Sequence, residues 1–364
     1  MPTAGDLRSV FRGCLLGGAV GDAIGAGIEF LSLAAIQDRF GPGGVTGYVT
    51  AYGRVGAITD DTQMTLFTAE GLIRARLAGA GDAGAPGAIW LAYQRWLSTQ
   101  DDAGPPDCPD GWLVGQGFLH HSRSPGVTCT SALQGARPGS AQQPVNASKG
   151  CGGVMRVAPA GLVAADPFAV GSAAAALSLG HPSGYLAAGA FALIVSEVAG
   201  GQELAPAVAS AMRRLDSVSG GEQVRAALAE AVRRAAARPG HRETLITLGQ
   251  GWVADEALAM AVYCALPAAA FRPAILLAAN HGGDSDSTAA ICGNLLGAAL
   301  GPSAIDADLL DDLEGRDAIE RVADDLYDLF VTGQAPAEGR YPRNLALGDQ
   351  RLVPSARDGE IGQV

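Results

Sequence analysis

Two runs of glycine at four-residue intervals constrain how this 364-residue chain folds. One lies in the apolar segment from Leu7 to Ala26, and the other follows Thr288. Residues four apart share one face of an α-helix, and each glycine inside a helix costs about 1 kcal/mol of helix propensity. Close packing offsets that cost, so we predict that the two helices cross with their backbones nearly in contact. The runs consist of Gly13, Gly17, Gly21 and Gly25, and of Gly293, Gly297 and Gly301.

The composition favours an all-α architecture. Hydrophobic residues make up 48% of the chain but aromatic residues only 5%, and there are 51 glycines. Such a core has to be filled by small side chains on closely approaching helices, which argues against a sandwich or a barrel. We predict one compact multi-helix domain over residues 1–332, followed by a polar tail over residues 333–364.

Charge and cysteine usage narrow the class of protein. A net charge of −12 argues against nucleic acid as the primary partner, because a phosphate backbone requires a basic surface. The six cysteines show no zinc-like spacing, which indicates reduced thiols in a cytoplasmic enzyme. The longest apolar segment, Ala257 to Phe271, is too short to span a bilayer, so we expect no membrane association.

The segment from His281 to Thr288 is the most oxygen-rich stretch in the chain. Asp284 and Asp286 are separated by one residue, and Ser287 follows directly. One interpretation is an N-terminal helix cap with an acidic first turn. The other is a site for a hard cation such as Mg²⁺, which prefers carboxylate and hydroxyl oxygens. A cap needs only one side-chain oxygen, and this pattern alone leaves both interpretations open.

A second stretch of the same design, Thr59-Asp60-Asp61-Thr62, precedes another helical pattern. Adjacent aspartates at a helix entrance repel each other unless a cation lies between them, so the repetition favours metal binding. If the stretches converge, they provide more acid than one Mg²⁺ takes from protein, which predicts two Mg²⁺ or Mn²⁺ ions about 4 Å apart. The predicted ligands are Thr59, Asp60, Asp61, Asp284, Asp286 and Ser287.

A glycine-rich loop from Asn146 to Arg156 contains Lys149, the only lysine in the chain. Exposed backbone N–H groups and one cation suit a phosphate or diphosphate, although a plain packing loop has the same composition. Two acids, Asp22 and Glu29, lie in glycine-rich apolar surroundings, which favours burial or a role in a site over a solvated surface position.

In this order, these motifs resemble the ADP-ribosylglycohydrolase family, which includes dinitrogenase reductase-activating glycohydrolase and the ADP-ribosylarginine and ADP-ribosylserine hydrolases. The resemblance covers roughly residues 8–330 and implies a compact all-α domain around a binuclear metal site. It rests on Gly21-Asp22-Ala23-Ile24-Gly25, Ile28-Glu29-Phe30, Thr59-Asp60-Asp61-Thr62, Gly150-Cys151-Gly152-Gly153-Val154-Met155-Arg156, His181 and Gly282-Gly283-Asp284-Ser285-Asp286-Ser287-Thr288.

The resemblance also implies roles for individual residues. Glu29 would approach the metals and gate substrate entry, and His181 would border the ADP-ribose pocket. Catalysis is expected from Glu29, Asp60, Asp61 and Asp286, with the choice of general base left open. Substrate contacts are expected from Asp22, Ser148, Lys149, Gly150, Cys151, Gly152, His181, Gly283 and Ser285.

The activity implied by the resemblance is release of ADP-ribose from a modified protein or small molecule by a monomeric enzyme. Ile28-Glu29-Phe30 and His181-Pro182-Ser183-Gly184-Tyr185 look most like the members that act on arginine linkages. Serine-, nucleobase- and small-molecule-linked ADP-ribose remain alternatives. So do a binding homologue without turnover and a different metallohydrolase acting on a phosphorylated nucleoside.

Overall fold

Helices joined by turns and loops make up residues 4–343, the part of the chain that this computed structural model describes. These residues contain no β-strand, only isolated bridges such as Gly150 with Val253, so the all-α prediction is confirmed. The helices are α1 (Ala4–Gly25), α2 (Leu33–Phe40), α3 (Asp60–Leu77), α4 (Gly81–Leu97), α5 (Val127–Leu133), α6 (Ala158–Val163), α7 (Pro167–Ala176), α8 (Pro182–Ala199), α9 (Leu204–Asp216), α10 (Glu222–Ala237), α11 (Arg242–Leu245), α12 (Ala254–Ala265), α13 (Phe271–Ala279), α14 (Ser285–Leu300), α15 (Ala307–Asp312) and α16 (Arg316–Tyr327).

The glycine runs lie where α1 crosses α14. A Cβ atom added to Gly13 would lie 2.2 Å from the carbonyl oxygen of Gly297, and one added to Gly297 would lie 1.9 Å from the carbonyl oxygen of Gly13. Nearby, Asn294 donates from its Nδ2 to the Cys14 carbonyl oxygen at 2.8 Å. The predicted backbone contact between the start and the end of the domain is therefore confirmed.

Small residues also fill the core around α8. A Cβ on Gly161 of α6 would lie 2.5 Å from the Ala192 carbonyl oxygen, and one on Gly171 of α7 would lie 2.7 Å from the Ala192 side chain. By length and composition α8 is apolar enough to cross a membrane, but 72% of it is buried within the domain. Its apolar surface is thus used in packing against other helices.

A long loop connects α2 with α3 and lies over the end of α13. Asn280 fixes it, because Oδ1 accepts from the Val45 amide at 2.8 Å and Nδ2 donates to the Val45 carbonyl oxygen at 3.0 Å. Gly44 has a φ of +78°, and a Cβ there would lie 1.9 Å from Asn280 Oδ1. This anchoring determines where the chain enters α3.

Packing continues beyond residue 332, where the polar tail was expected to begin. Tyr341 is buried and donates its hydroxyl to Asp325 Oδ2 at 3.0 Å, and Arg340 pairs with the same carboxylate at 2.6 Å. The Trp112 amide donates to the Arg340 carbonyl oxygen at 3.0 Å. The predicted boundary therefore precedes the last packed residues, and the rest of the predicted tail, 344–364, lies outside the described residues.

Candidate active site and metal centre

Asp22, on α1, positions the first turn of α3. It is fully buried, and its carboxylate accepts hydrogen bonds from the amides and the hydroxyls of both Thr59 and Thr62. Thr59 Oγ1 in turn accepts from the Asp61 amide at 3.3 Å, which makes Thr59 the N-cap of α3. Because Asp22 and Thr59 hold the helix terminus, the carboxylates of Asp60 and Asp61 face the adjoining cavity.

Asp284 is the N-cap of α14, so the cap interpretation of this stretch is correct for one residue. Its Oδ1 accepts from the Ser287 amide at 3.3 Å, and its own amide donates to the Gln250 carbonyl oxygen at 2.8 Å. Its second oxygen, Oδ2, accepts from the Cys151 thiol at 2.6 Å. Asp286 and Ser287, in the first turn of the helix, lie on the same cavity as Asp284.

The two helix entrances thus bring carboxylates together from opposite ends of the chain. Glu29, Asp284 and Asp286 each place an oxygen within 4.8 Å of the others. Asp61 Oδ1 and Glu29 Oε2 are buried and have no hydrogen-bond partner. Five carboxylates line the cavity, namely Glu29, Asp60, Asp61, Asp284 and Asp286.

Burial and mutual repulsion perturb these acids strongly. Burial, followed by the charges of Asp286 and its neighbours, raises the pKa of Glu29 to about 11. The same two causes raise the pKa values of Asp60 and Asp61 well above the ordinary range for aspartate. Such a cluster requires either bound protons or bound cations. The unpartnered oxygens and the all-oxygen donor set suit Mg²⁺ or Mn²⁺.

The cavity has a volume of about 310 Å³ and is walled by residues from distant parts of the sequence. Sequence patterns do not predict residues 124–129, Leu179 or Trp252 as lining residues, and they place Phe30 in a motif without giving it a role. The preceding residue, Arg123, holds the segment 124–129 in place. Its side chain pairs with buried Glu314, and the Arg123 carbonyl oxygen accepts from the Asp60 amide at 3.3 Å. Ser124-Pro125-Gly126 is a turn sequence, which was the one available signal.

Only part of the predicted phosphate loop reaches the cavity. Gly150, Cys151 and Gly152 line it, but Ser148 and Lys149 do not. Lys149 Nζ lies 3.7 Å from Asp255 Oδ1 on α12, and Ser148 Oγ accepts from the Gly150 amide at 3.3 Å. The Cys151 amide donates to the Trp252 carbonyl oxygen at 3.2 Å. Two of the amides expected to face a diphosphate are therefore already hydrogen-bonded.

The remaining predicted substrate residues, Asp22, His181, Gly283 and Ser285, do not line the cavity. His181 caps α8, with Nδ1 accepting from the Ser183 amide at 3.1 Å, and its amide donates to the Ser148 carbonyl oxygen at 3.1 Å. Ser285 Oγ donates to the Gly283 carbonyl oxygen at 3.2 Å. Asp22, on α1, is hydrogen-bonded to the first turn of α3, and Thr59 also lies outside the lining.

The fold and the site together define a helical domain with a buried carboxylate centre where two helix N-termini meet. A family model described as ADP-ribosylglycohydrolase matches residues 3–336. The chain therefore belongs to the ADP-ribosylglycohydrolase family, a family of hydrolases, which confirms the resemblance seen in the motifs.

Two comparisons extend this assignment. An uncharacterized protein of Archaeoglobus fulgidus is 28% identical over 334 residues, which cover 89% of this chain and 98% of that protein. A solved structure described as an ADP-ribosylglycohydrolase-related protein complex superposes with a TM-score of 0.64 at 23% identity, covering 90% of this chain and 100% of the other. At that identity the likeness concerns the fold.

Proposed function

We propose that this protein is a metal-dependent ADP-ribosyl hydrolase that cleaves the glycosidic bond between ADP-ribose and an acceptor, the arginine side chain of a modified protein. The observation that carries the proposal is the group of five carboxylates on one cavity, with unpartnered buried oxygens and raised pKa values. A binding site for a neutral ligand has no need of such costly burial of charge.

The proposed cofactors are two Mg²⁺ or Mn²⁺ ions. Asp60, Asp61, Asp284, Asp286 and Ser287 line the cavity and would hold them. Thr59, whose hydroxyl donates to Asp22, is the sixth proposed ligand. Bound divalent ions supply Lewis acidity, which polarises substrate oxygens and lowers the pKa of a water molecule.

Glu29 is the proposed general base. It lies outside both helix entrances, within 4.8 Å of Asp284 and Asp286, and its Oε2 has no hydrogen-bond partner. Cations held among the neighbouring acids would offset the repulsion that raises the pKa of Glu29, so that its carboxyl group would be ionised. In that form it takes a proton from the attacking water, whose oxygen bonds to the anomeric carbon of ribose as the bond to the acceptor nitrogen breaks. The proton that Glu29 has taken passes to the leaving guanidino nitrogen, so arginine and ADP-ribose are the products and the carboxylate is restored.

The charge of the cavity supports a cationic acceptor. Five acids line it, and none of its described lining residues is a lysine, arginine or histidine. Five ionised acids carry −5 and two divalent ions +4, so the loaded cavity keeps a net charge of −1. A guanidinium group gains from that negative charge, whereas a serine hydroxyl does not. We place the reaction in a reducing compartment, the cytoplasm, because all six cysteines are free thiols, and we propose that the enzyme acts as a monomer.

The test is a release assay on arginine-, serine- and guanine-linked ADP-ribose with Mg²⁺ or Mn²⁺. We expect metal-dependent release from the arginine linkage and a loss of at least about 100-fold in kcat for Asp60→Asn and Asp286→Asn. Asp216→Asn, at an exposed acid on α9, is the matched control. Turnover of none of the three linkages, or turnover unaffected by both site substitutions, would overturn the proposal.

A further inference from the structure

Two aromatic rings are stacked at the wall of the cavity. The rings of Phe30 and Trp252 have centroids 5.4 Å apart and planes inclined by 15°. Both residues line the cavity beside Glu29, yet Phe30 is 67% exposed. Because stacking on Trp252 covers one face of the Phe30 ring, that exposure leaves its other face open.

The backbone holds Phe30 in a conformation that costs energy. Its φ is +65°, in the left-handed region that bulky residues rarely adopt. The turn is fixed on either side, since the Glu29 amide donates to the Gly25 carbonyl oxygen at 3.0 Å and the Leu31 amide donates to the Ile28 carbonyl oxygen at 3.1 Å. This strain gains only the stacking contact with Trp252 and leaves most of a large apolar ring in solvent, and such strain is typical of functional sites.

The backbone of Trp252 is fixed by contacts with other parts of the site. Its carbonyl oxygen accepts from the Cys151 amide at 3.2 Å, and the preceding Gly251 has a φ of +85°. A Cβ on Gly251 would lie 2.7 Å from Thr288 Oγ1, so the turn packs directly against α14. The backbone at Gly251 and Trp252 is therefore held between the glycine-rich loop and the start of α14.

Flat rings beside a group of acids favour one class of ligand. A planar cation gains from the negative potential of the cavity and also from stacking on an aromatic face. An ammonium group, being tetrahedral, gains from charge but cannot stack in this way, and a hydroxyl gains from neither. Guanidinium has both properties.

We propose that Phe30 and Trp252 form an acceptor platform, on which the guanidinium of the modified arginine stacks while its bond to ribose is cleaved. This inference rests on the proposed function and deepens it, because it assigns the residues that distinguish an arginine linkage from a serine linkage. Neither ring takes part in bond cleavage, so both are specificity-determining residues.

The experiment compares variants that keep a ring with variants that keep only apolar volume. Phe30→Leu and Trp252→Leu are expected to lower, by about ten-fold, the ratio of kcat/KM on arginine-linked to kcat/KM on serine-linked ADP-ribose. Phe30→Tyr and Trp252→Phe, which retain an aromatic face, are expected to keep that ratio within about two-fold of the natural protein. Recovery by these conservative variants separates stacking from a general effect on folding.

A binding measurement makes the test independent of turnover. With ADP-ribose and Mn²⁺ present, agmatine, which carries a guanidinium, is titrated by calorimetry into the natural protein and the leucine variants. We expect the leucine variants to bind agmatine about ten-fold more weakly, and 1,5-diaminopentane, which ends in an ammonium, to show a much smaller difference. Equal losses for the two amines would overturn the proposal.

Further outcomes separate the platform from its alternatives. If the leucine substitutions weaken the binding of ADP-ribose as much as the binding of agmatine, the rings hold the adenine and the proposal is wrong. If the leucine substitutions lower kcat/KM by the same factor on arginine-linked and serine-linked substrates, the rings do not determine which acceptor is cleaved. If the natural protein releases ADP-ribose from no linkage, the proposed function fails, and a ring-dependent affinity for agmatine would still support the platform.

Discussion

Gly17 on α1 and Gly293 on α14 are in backbone contact: a Cβ atom on Gly17 would lie 2.3 Å from the Gly293 carbonyl oxygen, and one on Gly293 would lie 2.0 Å from that of Gly17. Both obstacles are backbone atoms, which cannot rotate away as a side chain can. The contact matters for the site because α14 begins with Asp284 and Asp286 of the carboxylate centre, and α1 carries Asp22, which positions the first turn of α3.

The first prediction concerns this crossing. Gly17→Ala should lower the free energy of unfolding by about 3 kcal/mol, because the two helices must separate to admit a methyl group. The measurement is urea denaturation followed by circular dichroism. Gly87→Ala on α4 is the control, since a Cβ there meets nothing within 4 Å, and it should change stability by no more than about 1 kcal/mol. Equal effects for the two substitutions would contradict the close crossing.

The second prediction separates support of the site from metal binding. Asp22→Asn should destabilise the metal-free protein by about 2 kcal/mol. The Asp22 carboxylate accepts from amides and hydroxyls of Thr59 and Thr62, and the NH₂ group of asparagine cannot accept these hydrogen bonds. Asp60→Asn should not destabilise the metal-free protein, because it removes one of several repelling charges. Thermal unfolding in chelator compares the two. A larger loss for Asp60→Asn would show that Asp60 has the supporting role.

The third prediction is a pH dependence that metal removes. Burial, and then the charge of Asp286, raises the pKa of Asp22 to about 7, and the pKa of Glu29 is raised to about 11. The folded state therefore binds more protons than the unfolded state above about pH 4, so stability falls as pH rises. Without metal we expect the melting temperature to drop by at least about 5 °C between about pH 5 and pH 8.

Divalent ions should reverse that trend, because they replace protons among the carboxylates. With saturating Mn²⁺ the melting temperature at about pH 8 should rise above the value in chelator. The same scan on Asp60→Asn, with one acid fewer, should show a weaker dependence on both pH and Mn²⁺. If chelator does not change the melting temperature of the natural protein, the proposed metal centre is contradicted.

The fourth prediction concerns thiol reactivity. Burial, and then the charge of Asp284, raises the pKa of Cys151 well above the ordinary value for a thiol, so its nucleophilic thiolate is scarce. Cys108 is exposed. Iodoacetamide at about pH 8 should therefore label Cys108 at least about ten-fold faster than Cys151, as measured by peptide mass spectrometry. Cys108→Ser should remove the fast phase, and a fast phase that maps to Cys151 would be unexpected.

Local patterns determined much of this protein. Glycines four residues apart define a stripe on any helix, so the contact between α1 and α14 follows from spacing alone. The acids at the entrances of α3 and α14 combine a cap with a carboxylate pair, which could be recognised within four residues of sequence. The order of the motifs identified the family.

Tertiary structure alone decided which loop side chains face the cavity. Lys149 turns towards Asp255, and Trp252 reaches the cavity because its backbone pairs with Cys151, about 100 residues earlier in the chain. Phe30 is exposed because its backbone has a left-handed conformation, which the sequence around it does not predict. Spacing along a helix determines which residues share a face, but the direction of a loop side chain depends on hydrogen bonds to partners that are distant in sequence.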